Sequence, residues 1–280
     1  GRAGQTLREV LAGYPRIHPH VIEVEGETRT AHILVESNLG RHTHIFGGGL
    51  QLTPAHRDQL VSQFNALLPR ASFVLTGGKL PPGLAPDFFH TLAASCAAQN
   101  TPLLVDSFGP TVLACLPARP AVVKLNRDEF AWTFGEPPAG LDSLIQAARA
   151  VRQAHAIPAL VVTCGADGLL AFTPQGQFHA WAPPQVVVNA AGAGDAASAA
   201  LAWRLAEGDT WPSALAWAAA ASAASVLTEG TSDLNLADAL ALLPAVKCQK
   251  ITQNEEKYSG RSRLAMTPKA TTSSSIWSKN

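Results

Sequence analysis

The sequence predicts an α/β fold with a doubly wound parallel sheet, and two observations support this prediction. Short apolar runs of the kind that form buried parallel strands recur along the middle of the chain. Segments with apolar residues at helical spacing separate these runs. Because alternating strands and helices pack as a sheet with helices on both faces, we expect a layered domain.

The individual elements follow in chain order. Residues 21–24 and 31–35, with turns at residues 25–27 and 37–40, predict a small β-meander within residues 21–49. Strands of the main sheet are predicted at residues 72–76, 102–106, 121–125 and 159–163. Helices are predicted around residues 60–68, 88–92, 144–151, 196–207 and 214–226. The last of these is alanine-rich but shorter than the ~20 residues that span a bilayer, so we interpret it as a core helix.

The composition restricts the class of partner. The chain has 280 residues, of which 47% are hydrophobic and 15% charged, and its formal net charge is +0. This is enough apolar material for a large core, and there is no basic excess that would attract nucleic acid. We therefore expect small-molecule partners, with no nucleic acid and no membrane. The cysteines are widely spaced without a C-x-x-C motif, which indicates reduced, buried thiols in a cytoplasmic protein.

One short turn carries the main chemical prediction. Residues 188–195 end an apolar run in small residues and place Asp195 at the start of a predicted helix. The backbone N–H groups of Ala193, Gly194 and Asp195 are expected to be unpaired first-turn donors, which suit a phosphoryl group at the positive end of the helix dipole. A carboxylate beside that anion suits a base that accepts a proton from an attacking hydroxyl. An ordinary helix start with an acidic first turn fits the same residues equally well.

Several segments in the same order resemble the motifs of the PfkB-type, ribokinase-like carbohydrate kinases. Residues 192–195 are similar to the GAGD signature of that family. The other matching segments are residues 26–30 (G-E-T-R), 76–83 (S-G-S-L-P-x-G), 105–109 (D-T-S-G), 124–129 (K-P-N-x-x-E) and 161–168 (V-V-T-x-G-x-x-G). The resemblance implies a ribokinase-like three-layer α/β/α sandwich with a small β-lid at residues 21–49. It also implies ATP-dependent phosphorylation of a sugar phosphate, with fructose 1-phosphate as the expected acceptor.

The resemblance also implies roles for individual residues. Asp195 would be the general base, and the turn of Gly192, Ala193 and Gly194 would hold the charge of the transferring phosphoryl group. The residues implied to contact ATP are Lys124, Asn126, Thr163, Gly165 and Gly168. The sugar phosphate would be held by Arg29, Gly77, Gly78 and Lys79, although Lys79 stands where the family usually has serine. Asn126 and Glu129 would hold Mg²⁺ through waters.

Structural alternatives remain open for most of these positions. Asn126 and Glu129 also fit a helix cap with an acidic first turn. Residues 165–168 also fit a tight turn between two strands, and Arg29 fits a solvated side chain. His42 and His44 alternate along one predicted strand, but without a third ligand nearby we expect no metal site there.

The two ends depart from the family pattern. We expect the chain to open at Gly1 in a loop before a short helix, without the strand and the G-G-K-G-x-N segment that the family has upstream. We therefore expect an amino-terminally truncated kinase domain over residues 1–246, and a disordered polar tail over residues 247–280. A non-catalytic remnant that keeps nucleotide binding is the alternative to an active enzyme. The resemblance further suggests a homodimer through the lid.

Overall fold

A seven-stranded mixed sheet lies at the centre of the computed structural model, which describes residues 1–36, 41–47, 49–137 and 139–252. The strands in the described residues are β1 (Ala31–Glu36), β2 (Arg41–Phe46), β3 (Val74–Gly77), β4 (Leu103–Asp106), β5 (Val122–Asn126), β6 (Leu160–Thr163), β7 (Leu169–Thr173), β8 (Gly176–Trp181) and β9 (Lys247–Lys250). The helices are α1 (Arg2–Ala12), α2 (Pro54–Leu67), α3 (Phe88–Ala98), α4 (Pro110–Cys115), α5 (Arg127–Phe134), α6 (Leu141–Ala154), α7 (Ala193–Ala206), α8 (Trp211–Ser225) and α9 (Leu236–Leu242).

The strands of the main sheet lie side by side in chain order, from β3 to β9. Strands β3 to β6 are parallel, and β6 to β9 are antiparallel. The four strands predicted for the main sheet are confirmed to within two residues at each end. Because parallel strands share the direction of their chain, the carboxyl ends of β3 to β6 all meet at one edge of the sheet.

Helices cover both faces of this sheet, which confirms the predicted layers. Leu103 and Val105 of β4 point into a core shared with α3, α4 and α6, whereas Leu104 between them points into a core shared with α7 and α8. Helices α7 and α8 are rich in buried alanine, and small side chains allow helices to approach their neighbours closely. This packing places the first turn of α7 at the carboxyl edge of the parallel strands.

The predicted β-meander is only partly present. Strands β1 and β2 form a separate two-stranded antiparallel sheet, in which Ala31 pairs with Phe46. Residues 21–24 form no strand, and no strand of the described residues pairs with their backbone groups. The predicted turn at residues 37–40 lies outside the described residues.

Both ends of the described chain correct the expectations from sequence. Helix α1 begins at Arg2, where the carboxylate of Glu27 accepts from the Arg2 and Ala3 amides. Lys247–Lys250 form β9, which pairs with β8 so that Cys248 lies opposite Ala180. The expectation that a disordered tail begins at residue 247 is therefore wrong, because backbone pairing builds an edge strand from polar residues as well as apolar ones. Residues 253–280 lie outside the described residues. Among the helices that are described, none has the length and apolar character needed to cross a membrane.

Candidate functional site

The carboxyl edge of the parallel strands brings most of the predicted site residues together. The register places Gly77 of β3 opposite Asp106 of β4, and Asp106 opposite Lys124 of β5. Farther along the sheet, Asn126 at the end of β5 lies opposite Thr163 at the end of β6. In open α/β sheets, ligands bind outside the carboxyl ends of the strands, so the shared direction of β3 to β6 indicates the edge at which a site lies.

The turn before α7 has the backbone conformation that its sequence indicates. Gly192 caps the helix with φ 86° and ψ −1°, a left-handed conformation in which a side chain is unfavourable. Its carbonyl accepts from the Ala196 amide at 2.9 Å. The Ala193 amide donates to the Ala190 carbonyl at 3.3 Å, so the expectation that this amide is an unpaired donor is wrong. A hydrogen bond within the turn therefore uses the Ala193 amide, which is one of the three donors expected to be unpaired.

A loop after α8 packs against this turn. The Ser232 amide donates to the Ala191 carbonyl at 3.2 Å, and the Ser232 hydroxyl donates to Asp195 Oδ2 at 3.2 Å. Ser232 itself has φ 55°, an uncommon conformation for a residue with a side chain. Asn189, which is buried, donates from Nδ2 to the Glu229 carbonyl at 3.0 Å and accepts from the Ala191 amide at 2.9 Å. These bonds fix the turn that carries the exposed Asp195.

A buried ion pair lies beneath the first turn of α7. Lys124 Nζ donates to Asp106 Oδ2 at 2.8 Å, and only 3% of Lys124 is exposed. The same carboxylate oxygen accepts from the Ser198 hydroxyl at 2.6 Å. A Cβ atom on Gly194 would lie 3.2 Å from Lys124 Nζ, which shows how closely the ammonium approaches the helix backbone. No role was predicted for Asp106 or Ser198 from the sequence, although an aspartate at the carboxyl end of a buried strand is itself a signal of such a site.

Asn126 and Glu129 form a reciprocal helix cap at the start of α5. The Glu129 amide donates to Asn126 Oδ1 at 2.9 Å, and the Asn126 amide donates to Glu129 Oε2 at 2.8 Å. The cap interpretation is therefore confirmed, and a metal-binding role stays a prediction. Burial raises the pKa of Glu129, and the hydrogen bond from the Asn126 amide opposes that shift. The nearby Asp106 also raises this pKa, and Lys124 lowers it.

The turn predicted to contact nucleotide connects β6 and β7. The Cys164 amide donates to the Gly168 carbonyl at 2.7 Å, and residues 165–167 form one turn of 3₁₀ helix. A tight turn between two strands is therefore confirmed. A Cβ atom on Gly165 would have no neighbour within 4 Å, so the surface beside it is open. Arg127, at the start of α5, pairs with Asp167 of this turn at 3.1 Å.

The residues predicted to hold the sugar phosphate divide into two groups. Gly77 and Gly78 lie directly beside β4, because the Gly78 amide donates to the Asp106 carbonyl at 3.0 Å and the Gly78 carbonyl accepts from Ser107 Oγ at 3.1 Å. The next residue, Lys79, is exposed. Arg29 is also exposed and lies in the segment before β1, so its role at a sugar phosphate stays a prediction.

The described residues contain no cluster of three or more histidine, cysteine, aspartate or glutamate side chains that could hold a metal by itself. Any metal at the carboxyl edge would therefore take part of its ligands from amide oxygens, water or a bound phosphate.

Solved structures with this fold include known kinases. Phosphofructokinase-2 from Escherichia coli in complex with potassium matches with a TM-score of 0.79 at 23% identity, over 87% of this chain and 79% of that chain. A ribokinase from Arabidopsis thaliana, complexed with ribose and ATP, matches with a TM-score of 0.59 at 21% identity, over 76% and 68% of the two chains. The fold is therefore ribokinase-like, as the sequence predicted.

Sequence relatives point to the same family. The 1-phosphofructokinase of Xanthomonas campestris pv. campestris is 35% identical over 207 residues, which are 72% of this chain and 64% of the relative. The 1-phosphofructokinase of Escherichia coli (strain K12) is 31% identical over 212 residues, which are 75% and 67% of the two chains. The family model for pfkB family carbohydrate kinases matches residues 14–238. With motifs, sheet and helix start in agreement, the chain belongs to the pfkB family of carbohydrate kinases.

Proposed function

We propose that this protein transfers the γ-phosphoryl group of ATP to the hydroxyl of a sugar phosphate, and that fructose 1-phosphate is converted to fructose 1,6-bisphosphate. The observation that carries the proposal is the position of Asp195. This carboxylate is exposed in the first turn of α7, next to a backbone turn under which Lys124 is buried. The relatives named 1-phosphofructokinase support the choice of acceptor.

Asp195 acts as the general base of this reaction. The acceptor oxygen forms a bond to the γ-phosphorus, the bond between that phosphorus and the β,γ-bridging oxygen breaks, and the hydroxyl proton passes to the Asp195 carboxylate. The hydrogen bond from Ser232 holds one carboxylate oxygen and orients the side chain. ADP leaves with the bridging oxygen.

Positive charge beside the transferring group comes from two sources. The turn of Gly192, Ala193 and Gly194 presents the positive end of the α7 dipole. The ammonium of Lys124 lies behind Gly194, where water is excluded and its charge is therefore little screened. Donors that are already in place when charge develops stabilise the transition state without reorganisation.

The donor set at the carboxyl edge fits Mg²⁺. Glu129 and Asp106 provide carboxylate oxygens and Asn126 an amide oxygen, and Mg²⁺ typically takes one or two carboxylates together with waters and substrate phosphates. The capping bonds use only part of the acceptor capacity, because a carboxylate has about four lone-pair sites. When bound, the ion neutralises charge on the β- and γ-phosphates.

The remaining contacts separate the two substrates. Thr163, Gly165 and Gly168 contact the nucleotide, for which the open surface beside Gly165 leaves space. Arg29, Gly77, Gly78 and Lys79 contact the phosphate of the sugar. We further propose that the protein acts in the cytoplasm. We also propose a homodimer through the sheet of β1 and β2, where Leu34 and Ile45 are exposed.

The test is the replacement Asp195→Asn, with Asp142→Asn as a matched control. Asp142 is also an exposed aspartate in the first turn of a helix, α6, so its removal reproduces the loss of charge near a helix dipole. We expect kcat for ATP-dependent phosphorylation of fructose 1-phosphate to fall by about 10²–10⁴ for Asp195→Asn, the range for a lost general base. Nucleotide affinity should change little, and Asp142→Asn should leave kcat unchanged.

Two outcomes would contradict the proposal in different ways. If Asp195→Asn retains kcat within a few-fold of the parent, Asp195 is not the base. If the parent chain binds an ATP analogue but phosphorylates no sugar phosphate, the protein is instead a non-catalytic nucleotide-binding member of the family.

A further inference from the structure

We infer that Ser198 is a positioning residue, which fixes the ammonium of Lys124 beneath the phosphoryl-binding turn by way of Asp106. Ser198 lies in the interior of α7 and is not among the residues that the motifs single out. The inference rests on the proposed function, because it assigns the turn at the start of α7 to the transferring phosphoryl group.

The first observation is that Ser198 and Lys124 share one acceptor atom. Asp106 Oδ2 accepts from Ser198 Oγ at 2.6 Å and from Lys124 Nζ at 2.8 Å. Short hydrogen bonds to an ionised oxygen are stronger than neutral ones. Ser198 is only 1% exposed, so water does not replace its hydroxyl readily. The hydroxyl therefore fixes the rotamer of Asp106, and Asp106 in turn fixes the position of the ammonium.

The second observation is that Ser198 and Asp195 lie on the same helix three positions apart. Residues at this spacing share a face of the helix. The helix that carries the proposed base is thereby joined through Ser198 to the carboxyl end of β4, and through Asp106 to Lys124 on β5. The Ser198 hydroxyl thus fixes the helix that carries the proposed base relative to the buried ammonium of Lys124.

The third observation is the direction of the hydroxyl. A serine inside a helix commonly bonds back to the carbonyl four residues earlier. Ser198 instead donates to a carboxylate that lies 92 positions away in sequence. Its bond therefore contributes to the geometry between elements rather than within α7.

The chain offers a matched control for this arrangement. Ser213 Oγ donates to Asp209 Oδ2 at 2.8 Å, and Asp209 pairs with Arg204 at 2.8 Å. Here too a serine hydroxyl donates to a carboxylate that pairs with a cation. These three residues join α7 to α8 through their connecting turn, away from the carboxyl edge of the sheet. Loss of the Ser213 hydroxyl reports the structural cost of such a bond without an effect on the site.

The experiment compares Ser198→Ala, Ser213→Ala and Ser198→Thr in the full chain. For each variant, calorimetry gives the affinities for ADP and for a non-hydrolysable ATP analogue, kinetics give kcat and the KM for ATP, and a thermal melt gives Tm. We expect Ser198→Ala to weaken the binding of the ATP analogue about 10-fold more than the binding of ADP. We also expect it to lower kcat about 10- to 100-fold, because small displacements of a charge near the reacting group slow the reaction. Ser213→Ala should lower Tm only, and Ser198→Thr, which keeps the hydroxyl, should retain the affinity ratio of the parent.

Three other outcomes would contradict the inference or the proposed function on which it rests. If Ser198→Ala lowers Tm but keeps the ratio of the two affinities and kcat, Ser198 is a structural residue and the inference is wrong. If Ser198→Thr keeps the Tm of the parent but loses the ratio of the two affinities as fully as Ser198→Ala, the hydroxyl is not the responsible group. If the parent chain itself binds neither nucleotide, the proposed function fails, and the inference that rests on it fails too.

Discussion

Replacement of Gly192 by alanine tests whether the Ser232 loop holds the turn before α7. A Cβ atom at position 192 would lie 2.1 Å from Ser232 Oγ and 2.4 Å from the Ser232 backbone nitrogen. Backbone atoms at such distances must move, so the loop would be displaced. The new side chain would also be forced into a left-handed conformation at φ 86°.

The expected cost has two contributions. The left-handed conformation costs a residue with a side chain roughly 1–2 kcal/mol. Displacement of the loop breaks the bonds from Ser232 to Ala191 and Asp195, each worth about 0.5–1.5 kcal/mol. Gly192→Ala should therefore lower the free energy of unfolding by about 2–5 kcal/mol, and Tm falls by about 2–4 °C for each kcal/mol in a domain of this size.

Gly208→Ala separates these two contributions. Gly208 has φ 84°, close to the value at Gly192, but a Cβ atom there would have no neighbour within 4 Å. Its replacement should therefore cost only the conformational contribution, roughly 1–2 kcal/mol. Urea unfolding of both variants gives the comparison. Equal losses for Gly192→Ala and Gly208→Ala would show that the Ser232 contact does not constrain the turn.

Two further predictions concern the charges beneath and beside this turn. Lys124→Met should lower the free energy of unfolding by about 3 kcal/mol or more, because it leaves the Asp106 carboxylate without its cation. In urea unfolding, the double variant that also carries Asp106→Asn should recover part of that loss. If it recovers none, the two side chains do not stabilise the fold as a pair. Glu129→Gln keeps the acceptor of the helix cap, but it removes a group whose pKa burial raises above 4.5. Ionisation of Glu129 therefore destabilises the fold as pH rises from about 4.5 through the raised pKa. The free energy of unfolding of Glu129→Gln relative to that of the parent should then increase from pH 4 to pH 7. Equal changes with pH in the two proteins would contradict this prediction.

Local patterns in the sequence predicted the parallel strands of the main sheet and the start of α5. Each predicted strand of the main sheet is rich in apolar residues, and β4 to β6 are buried on both faces, so their positions could be found without knowledge of their neighbours. The start of α5 was also predictable, because Asn126 and Glu129 satisfy each other's amides within four residues. The family motifs then indicated the ends of these elements at which the site is predicted.

The tertiary structure decided what depends on partners distant in sequence. Lys247–Lys250 form a strand because they pair with the edge of β8, whereas residues 21–24 pair with no described strand and form none. The bond between Ser198 and Asp106 spans 92 positions, and the bond between Ser232 and Asp195 spans 37, so no local pattern could have indicated either. Sequence therefore determined where β3 to β6 lie, to within two residues, whereas packing determined which side chains face one another at the edge of the sheet, since a hydrogen bond depends on distance in space and not along the chain.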